Sequence, residues 1–201
     1  MQPALQQGFF QGYLEVLGAE LLREAVGEES FSLILEKKEG SFDEPFDAQF
    51  FVFFDEVLQK RYGIVASRGI ARLAGRLAFK VYKDGIPIFV ERGTIENRLL
   101  PFVEKITAVL QDLIRLLKED ALADLVTRHI TQDDAWAVEG TIWLPNGRFL
   151  QVGDQQFFMG MLESMLEWLD SRHVFQVSRK TDSAEFQSDE INLLVSGKRF
   201  D

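Results

Sequence analysis

The 201-residue chain contains no cysteine. That excludes disulfides, thiolate nucleophiles and cysteine-based metal sites, and it fits a reducing compartment. Histidine is nearly as scarce: only His129 and His173 are present. Neither makes a metal site without carboxylate help, from Asp133 or Asp134 for the first and Asp170 for the second, and a satisfied strand histidine is the plainer reading of both. No run of eighteen apolar residues occurs, so no membrane-spanning helix is expected. The opening MQPALQQGFF has neither a charged n-region nor an apolar h-region and does not read as a signal peptide. Together these absences point to the cytoplasm. Positive charge is also short: Lys and Arg number 22 against 32 Asp and Glu, a net charge of −10. Nucleic-acid binding needs a cationic surface and is not expected. No G-x-S-x-G, phosphate-binding P-loop or G-x-G-x-x-G sequence occurs, and no serine is backed by a histidine. The expectation is a non-enzymatic protein with no cofactor and no metal.

What is present is apolar bulk, with hydrophobic residues at 46%, charged residues at 27% and 18 Phe against 3 Tyr and 3 Trp. This is the composition of a folded globular protein. Residues 1–201 are expected to form a single domain, since no repeat, low-complexity tract or dividing linker is visible. So many aromatic rings imply either a thick core or an apolar cavity.

The stretch IVASRGIARLAGRLAFKVYK, Ile64 to Lys83, carries three patterns at helical spacing. Ile70, Leu73, Ala74, Leu77 and Val81 form an apolar stripe expected to face a core. Ala71, Gly75 and Ala78 form a track of small residues, open either to another helix or to a ligand. Arg68, Arg72, Arg76 and Lys80 form a row of cations, read either as a solvated face or as a guanidinium site for a carboxylate or phosphate.

Pro3 suits the first turn of a helix whose apolar face is expected to be Phe9, Tyr13, Val16, Leu17, Leu21 and Leu22, with Gly12 and Gly18 as points of bending. ESFSLILEKKEG reads equally as helix or strand. A second helix is expected from an Asp47 N-cap to Tyr62, ended by Gly63. After the central helix, KDGIPIFVERGTIENR reads as an irregular connection, apolar enough at Ile86, Ile88, Phe89 and Val90 to be partly buried or to act as a lid. A third long helix runs from Leu99 to Lys118. The period then changes from 3.6 to 2: Trp136, Val138 and Ile142 alternate with Ala137, Glu139 and Thr141, after a partner strand over Val126 to Thr131. Asp154 reads as the cap of a further helix, on whose outer face Glu163 and Glu167 lie as a solvated pair. The strands HVFQVSRK and EINLLVSG close the chain. The fold class read from this order is α+β: about five helices packed on a small antiparallel sheet of about four strands.

Three stretches resemble the 4-vinyl reductase domain family, also called the hydrocarbon-binding domain, whose fold is related to the small subunits of vesicle-tethering (TRAPP) complexes. RGIARLAGRLAF matches that family's Gly-Arg-x-x-Phe helix through Gly75, Arg76 and Phe79. FFMGMLESMLEWL matches its Gly-x-Leu-x-x-x-Leu-x-Trp-like helix through Gly160, Leu162, Leu166 and Trp168. The closing FQVSRKTDSAEFQSDEINLLV falls where the family has its final pair of strands. The family's cysteines are missing from the corresponding stretches, Thr181 to Glu190 and Trp143 to Gly147, so a metal role does not carry over. The resemblance implies a homodimeric ligand-sensing domain that encloses an apolar or aromatic small molecule, with or without an anionic group.

The residues expected at such a pocket are Arg72, Gly75, Arg76, Phe79, Phe53, Phe54 and Phe158, with Arg76 the stronger anchor. Plain core is the competing reading of the phenylalanines, and helix packing that of Gly75. The rival function is a protein-interaction or assembly module of the tethering-subunit type without a ligand.

Overall fold

The computed structural model describes residues 3–29, 31–32, 35, 48–85, 87–94, 99–119, 123–131, 135–142, 152–179 and 191–199. The main α-helices are α1 (Pro3–Val26), α2 (Ala48–Tyr82), α3 (Pro87–Arg92), α4 (Phe102–Glu119) and α5 (Val152–Leu169). The strands are β1 (Ala123–Ile130), β2 (Ala135–Ile142), β3 (His173–Arg179) and β4 (Ile191–Arg199). They form one antiparallel sheet in the order β1-β2-β4-β3. The α+β class is the one read from the sequence. Among the described residues no helix is long and apolar enough to cross a membrane.

One face of the sheet is buried. Leu125 of β1, Trp136 and Val138 of β2, Leu193 and Val195 of β4, and Phe175 and Val177 of β3 all face the helices. They join Ile106, Val109, Leu110 and Leu113 of α4 and Leu162, Met165 and Leu166 of α5 in the main core. Each such side chain contributes on the order of 2 kcal/mol by leaving water. Trp136 also donates its indole N–H to Thr107 Oγ1 at 2.9 Å, so the largest buried ring leaves no polar atom unmatched. Val126 and Val174 lie on the opposite, exposed face. The alternation expected along β2 fails at one point: Ala135, Trp136, Ala137 and Val138 are all buried. Ala137 stands between the longer Arg128 and Leu194 in register, and its small side chain is shaded by theirs.

Two long helices are broken at glycine. Gly18 in α1 (φ 74°, ψ 163°) and Gly63 in α2 (φ 80°, ψ 162°) adopt a backbone conformation that is essentially glycine-only. Gly63 therefore separates the two helices expected on either side of it, which continue one another as halves of α2. The expected Asp47 cap lies outside the described residues. Residues 29, 31, 32 and 35 are helical, which settles the start of ESFSLILEKKEG as helix.

Two local expectations are corrected. The connection after the central helix is not irregular: Lys83–Gly85 forms a 3-10 turn and Pro87 opens α3, the first-turn position where its missing N–H is harmless. Phe89 is buried and meets Phe79 edge-on at 5.3 Å, which anchors the segment. Asp154 is not a cap, because α5 begins at Val152. It lies in the first turn of that helix.

The central helix is also turned from the expected orientation. Ala71, Ala74, Gly75, Ala78 and Phe79 are buried, whereas Leu73 and Val81 are each 48% exposed. Size decides the facing here. The second half of α2 lies between α1 and α5, and a helix approached closely on two sides must present its smallest residues there.

Candidate functional site

A methyl group added at Gly75 would overlap the carbonyl of Phe157, one at Gly160 would overlap the carbonyl of Arg72, and one at Gly12 would overlap the carbonyl of Ala74. The track of small residues is thus closed by α5 on one flank and α1 on the other. Of its two readings, helix packing is the one that this geometry supports.

That closeness brings charged groups together. Arg72 donates from Nε to Glu163 Oε2 at 3.1 Å, and from Nη2 to Glu163 Oε1 and the Val177 carbonyl. Arg76 donates from Nη1 to Glu163 Oε2 at 3.2 Å and from Nη2 to both oxygens of Glu167 at 2.6 Å. The Val177 N–H donates to Glu163 Oε1 at 3.0 Å. Glu163 is only 4% exposed. The outer-face reading of Glu163 is therefore corrected: it is the buried centre of a seam joining α2, α5 and β3. A carboxylate survives burial when several charge-assisted donors converge on it.

A second cluster sits where α5 ends. Lys105 Nζ donates to Asp170 Oδ2 at 2.7 Å, and both side chains are buried. Arg172 adds its backbone N–H at 3.1 Å and two guanidinium donors at 3.3 and 3.2 Å. His173 Nδ1 lies 3.3 Å from Asp170 Oδ1, in ion-pair range but not aligned for a hydrogen bond, and its ring stacks on Phe102 at 4.0 Å. Burial opposes the charge on Asp170, but the hydrogen bonds from Arg172 and Lys105 overcome it and hold the carboxyl well below the usual aspartate range. Among the described residues no three of His, Cys, Asp and Glu gather as metal ligands.

Asp170 links stability to pH. A carboxyl whose affinity for protons falls on folding contributes stability above its unfolded value of about 3.9, lost as pH drops through the lower folded value. Asp170→Asn is expected to remove this contribution. Its Tm deficit against the parent should be full at pH 5 to 7 and shrink steadily below about pH 4. A deficit that does not change between pH 6 and pH 3 in a thermal-melt series would refute the assignment.

Of the other residues expected at a pocket, Phe79 is buried and meets Trp168 edge-on at 5.9 Å as well as Phe89. Phe158 belongs to the main core. Phe53 and Phe54 lie in the first half of α2, with side chains outside the described residues. Arg72 and Arg76 do converge, but on Glu163 and Glu167.

Sequence reading missed Lys105, placed Asp170 only as a metal-site helper for His173, and missed Gln155. The first two had a signal: Lys105 interrupts the apolar stripe of α4 between Phe102 and Val109, and Asp170 ends a helix, where the dipole disfavours an anion. Gln155 had none. It is 0% exposed, yet neither Nε2 nor Oε1 of its amide has a hydrogen-bond partner among the described residues. It falls on the helical stripe of α5 that continues through Met159, Leu162 and Leu166. Ser164 Oγ and Tyr62 Oη are likewise buried and unmatched.

No protein-family model and no curated protein matches the chain. Solved structures do. An oxygen-binding H-NOX domain related to soluble guanylate cyclases, solved as its oxygen complex, aligns with a TM-score of 0.63 at 14% identity, over 99% of this chain and 96% of that one. A point mutant of the T. tengcongensis H-NOX aligns with a TM-score of 0.58 at 14% identity, over 99% and 98%. The IWP-051-bound H-NOX from Shewanella woodyi in the Fe(II)CO state aligns with a TM-score of 0.52 at 15% identity, over 98% and 94%.

These neighbours overturn the resemblance to the 4-vinyl reductase and tethering-subunit family. The motifs that carried it have another cause, since Gly75 with Arg76 and Gly160 with Glu163 are what two helices need to touch and pair charges. The homodimer, the hydrocarbon ligand and the tethering-type assembly role lose the support that the resemblance lent them. At this level of identity the likeness is one of architecture: over nearly its whole length the chain has the fold of H-NOX domains.

Proposed function

We propose that this chain is a non-enzymatic small-molecule-binding domain of the sensor type, whose ligand is held without haem. The sensor reading is supported by full-length likeness to domains that bind oxygen and hold haem. The observation that carries the binding reading is Gln155, a fully buried amide with neither donor nor acceptor matched among the described residues. Leaving such a group unpaired costs about 1–3 kcal/mol, and a ligand that pairs with it recovers that cost.

Most of the residues that could ligate haem iron are otherwise engaged, which favours a ligand other than haem. Its iron takes an axial His, Cys, Met or Tyr. The chain has no Cys, and α4, which packs on the sheet, contains none of the four. His173 is stacked on Phe102, and His129 is tilted against Trp136 with ring centroids 5.0 Å apart. Met159 and Met165 are packed within the main core with Met161 against it, and Tyr13 stacks on Phe157 at 5.9 Å. That leaves Tyr62 Oη, buried and unmatched among the described residues, as the candidate that a haem test must examine. A carboxamide in apolar surroundings suits an apolar or aromatic molecule with one carboxyl, amide or hydroxyl end.

Native mass spectrometry of the purified protein is the test, combined with thermal-shift screening against fatty acids and aromatic acids. The expected result is a retained or stabilising ligand whose effect is lost in Gln155→Leu, a variant that itself melts no lower than the unliganded parent. Absence of any retained mass or thermal shift overturns the binding reading. A stoichiometric Soret band after incubation with hemin overturns the reading without haem.

A further inference from the structure

We propose that the outward face of the second half of α2 docks an amphipathic helix with acidic margins, carried by a partner protein. The inference stands whether or not the chain holds a small molecule.

Val65, Gly69, Leu73, Leu77 and Val81 recur every four residues along this half-helix. Val65 is 86% exposed, and Leu73 and Val81 are 48% exposed. The row extends about 24 Å at the rise of an α-helix. A ridge of i, i+4 residues is the element that packs into the groove of a second helix. Gly69 interrupts it as a notch, because a side-chain atom there would meet nothing within 4 Å. An apolar ridge of this extent is more than the scattered single residues normal on a surface.

Charge selects the occupant. Of the four cations beside the ridge, Arg72 and Arg76 turn inward onto Glu163 and Glu167. Arg68 and Lys80, at the two ends, are exposed and have no ion-pair partner among the described residues. In a chain of net charge −10 with 32 carboxylates, two cations left unpaired along one margin of an apolar ridge complement a helix flanked by Glu or Asp. A second copy fits worse. Pairing it antiparallel about Leu73 sets Arg68 of one copy within a turn of Lys80 of the other on the same margin, a like-charge contact.

The test uses the full chain and two synthetic helical peptides that share one leucine face, one with Glu on its margins and the other with Lys. The Glu peptide is expected to bind at least about tenfold more tightly by fluorescence anisotropy at low salt, a preference that narrows as salt is added. Val65→Asp and Leu73→Asp should each abolish binding while the melting temperature holds. The Arg68→Glu/Lys80→Glu double variant should reverse the preference. Equal binding of both peptides, or binding indifferent to Leu73→Asp, overturns the proposal. So does a concentration-dependent dimer dispersed by Leu73→Asp, which would make the second copy the occupant.

Discussion

Gly75→Ala is expected to lower the melting temperature by roughly 4–8 °C, taking about 3 kcal/mol for the overlap less about 1 kcal/mol of helix propensity, at about 2–4 °C per kcal/mol for a chain of this size. Two effects oppose each other. Alanine is the better helix former by about 1 kcal/mol. Against this, the new methyl would sit on the carbonyl of Phe157, a backbone atom that moves only if α5 moves. Overpacking against backbone costs about 1–3 kcal/mol and sometimes more, so the clash wins. Gly160→Ala meets the carbonyl of Arg72 at the same crossing and should behave alike. Because one separation of the helices relieves both overlaps, the double variant should lose less than the sum of the singles. Gly69→Ala is the control. It lies on the same helix with nothing within 4 Å, so only the propensity remains and the melting temperature should rise. If Gly75→Ala and Gly69→Ala melt together, the two helices do not touch as described.

The same glycines show what the sequence could convey. The change of period near residue 120, from helical stripes to strand alternation, was plain because one buried sheet face enforces it through Trp136, Val138, Leu193 and Val195. Gly63 was legible as a break because few other residues tolerate its backbone. The facing of α2 was not. Hydrophobicity placed Leu73 and Val81 inward, but two helices pressing from either side reward small volume over apolarity, so Ala71, Gly75 and Ala78 took the inside beside Ala74, the small member of the expected stripe. The partners of Arg72 and Arg76 were hidden for a related reason. Glu163 and Glu167 are about ninety residues away in the chain, and i, i+4 spacing on one helix looks the same whether the face is wet or buried. Gln155 could not be found at all, since a single amide in an apolar stripe has no pattern.

Glu163→Ala should be the most damaging single change in the seam, at about 3–5 kcal/mol. It leaves two guanidiniums without their shared acceptor and strips the Val177 N–H of its partner. Glu167→Ala should cost far less, about 1 kcal/mol or under, because its side chain is 28% exposed and water can replace it. Position in the seam thus matters more than charge, which is the same for both residues. Salt separates them further: the smaller effect at Glu167 should fade in high salt, whereas that at Glu163 should persist, as mobile ions screen buried pairs poorly. Glu163→Gln provides the finer reading. Its carbonyl can still accept from Val177, but its amide turns a donor toward Arg72 or Arg76, so it should fall between the parent and Glu163→Ala. Hydrogen exchange at the Val177 amide reports the link to the sheet directly. Protection there should drop in Glu163→Ala, hold partly in Glu163→Gln and be untouched in Glu167→Ala. Unchanged protection in all three would mean that β3 is held by its strand neighbours alone, and that the carboxylate does not tie the helices to the sheet.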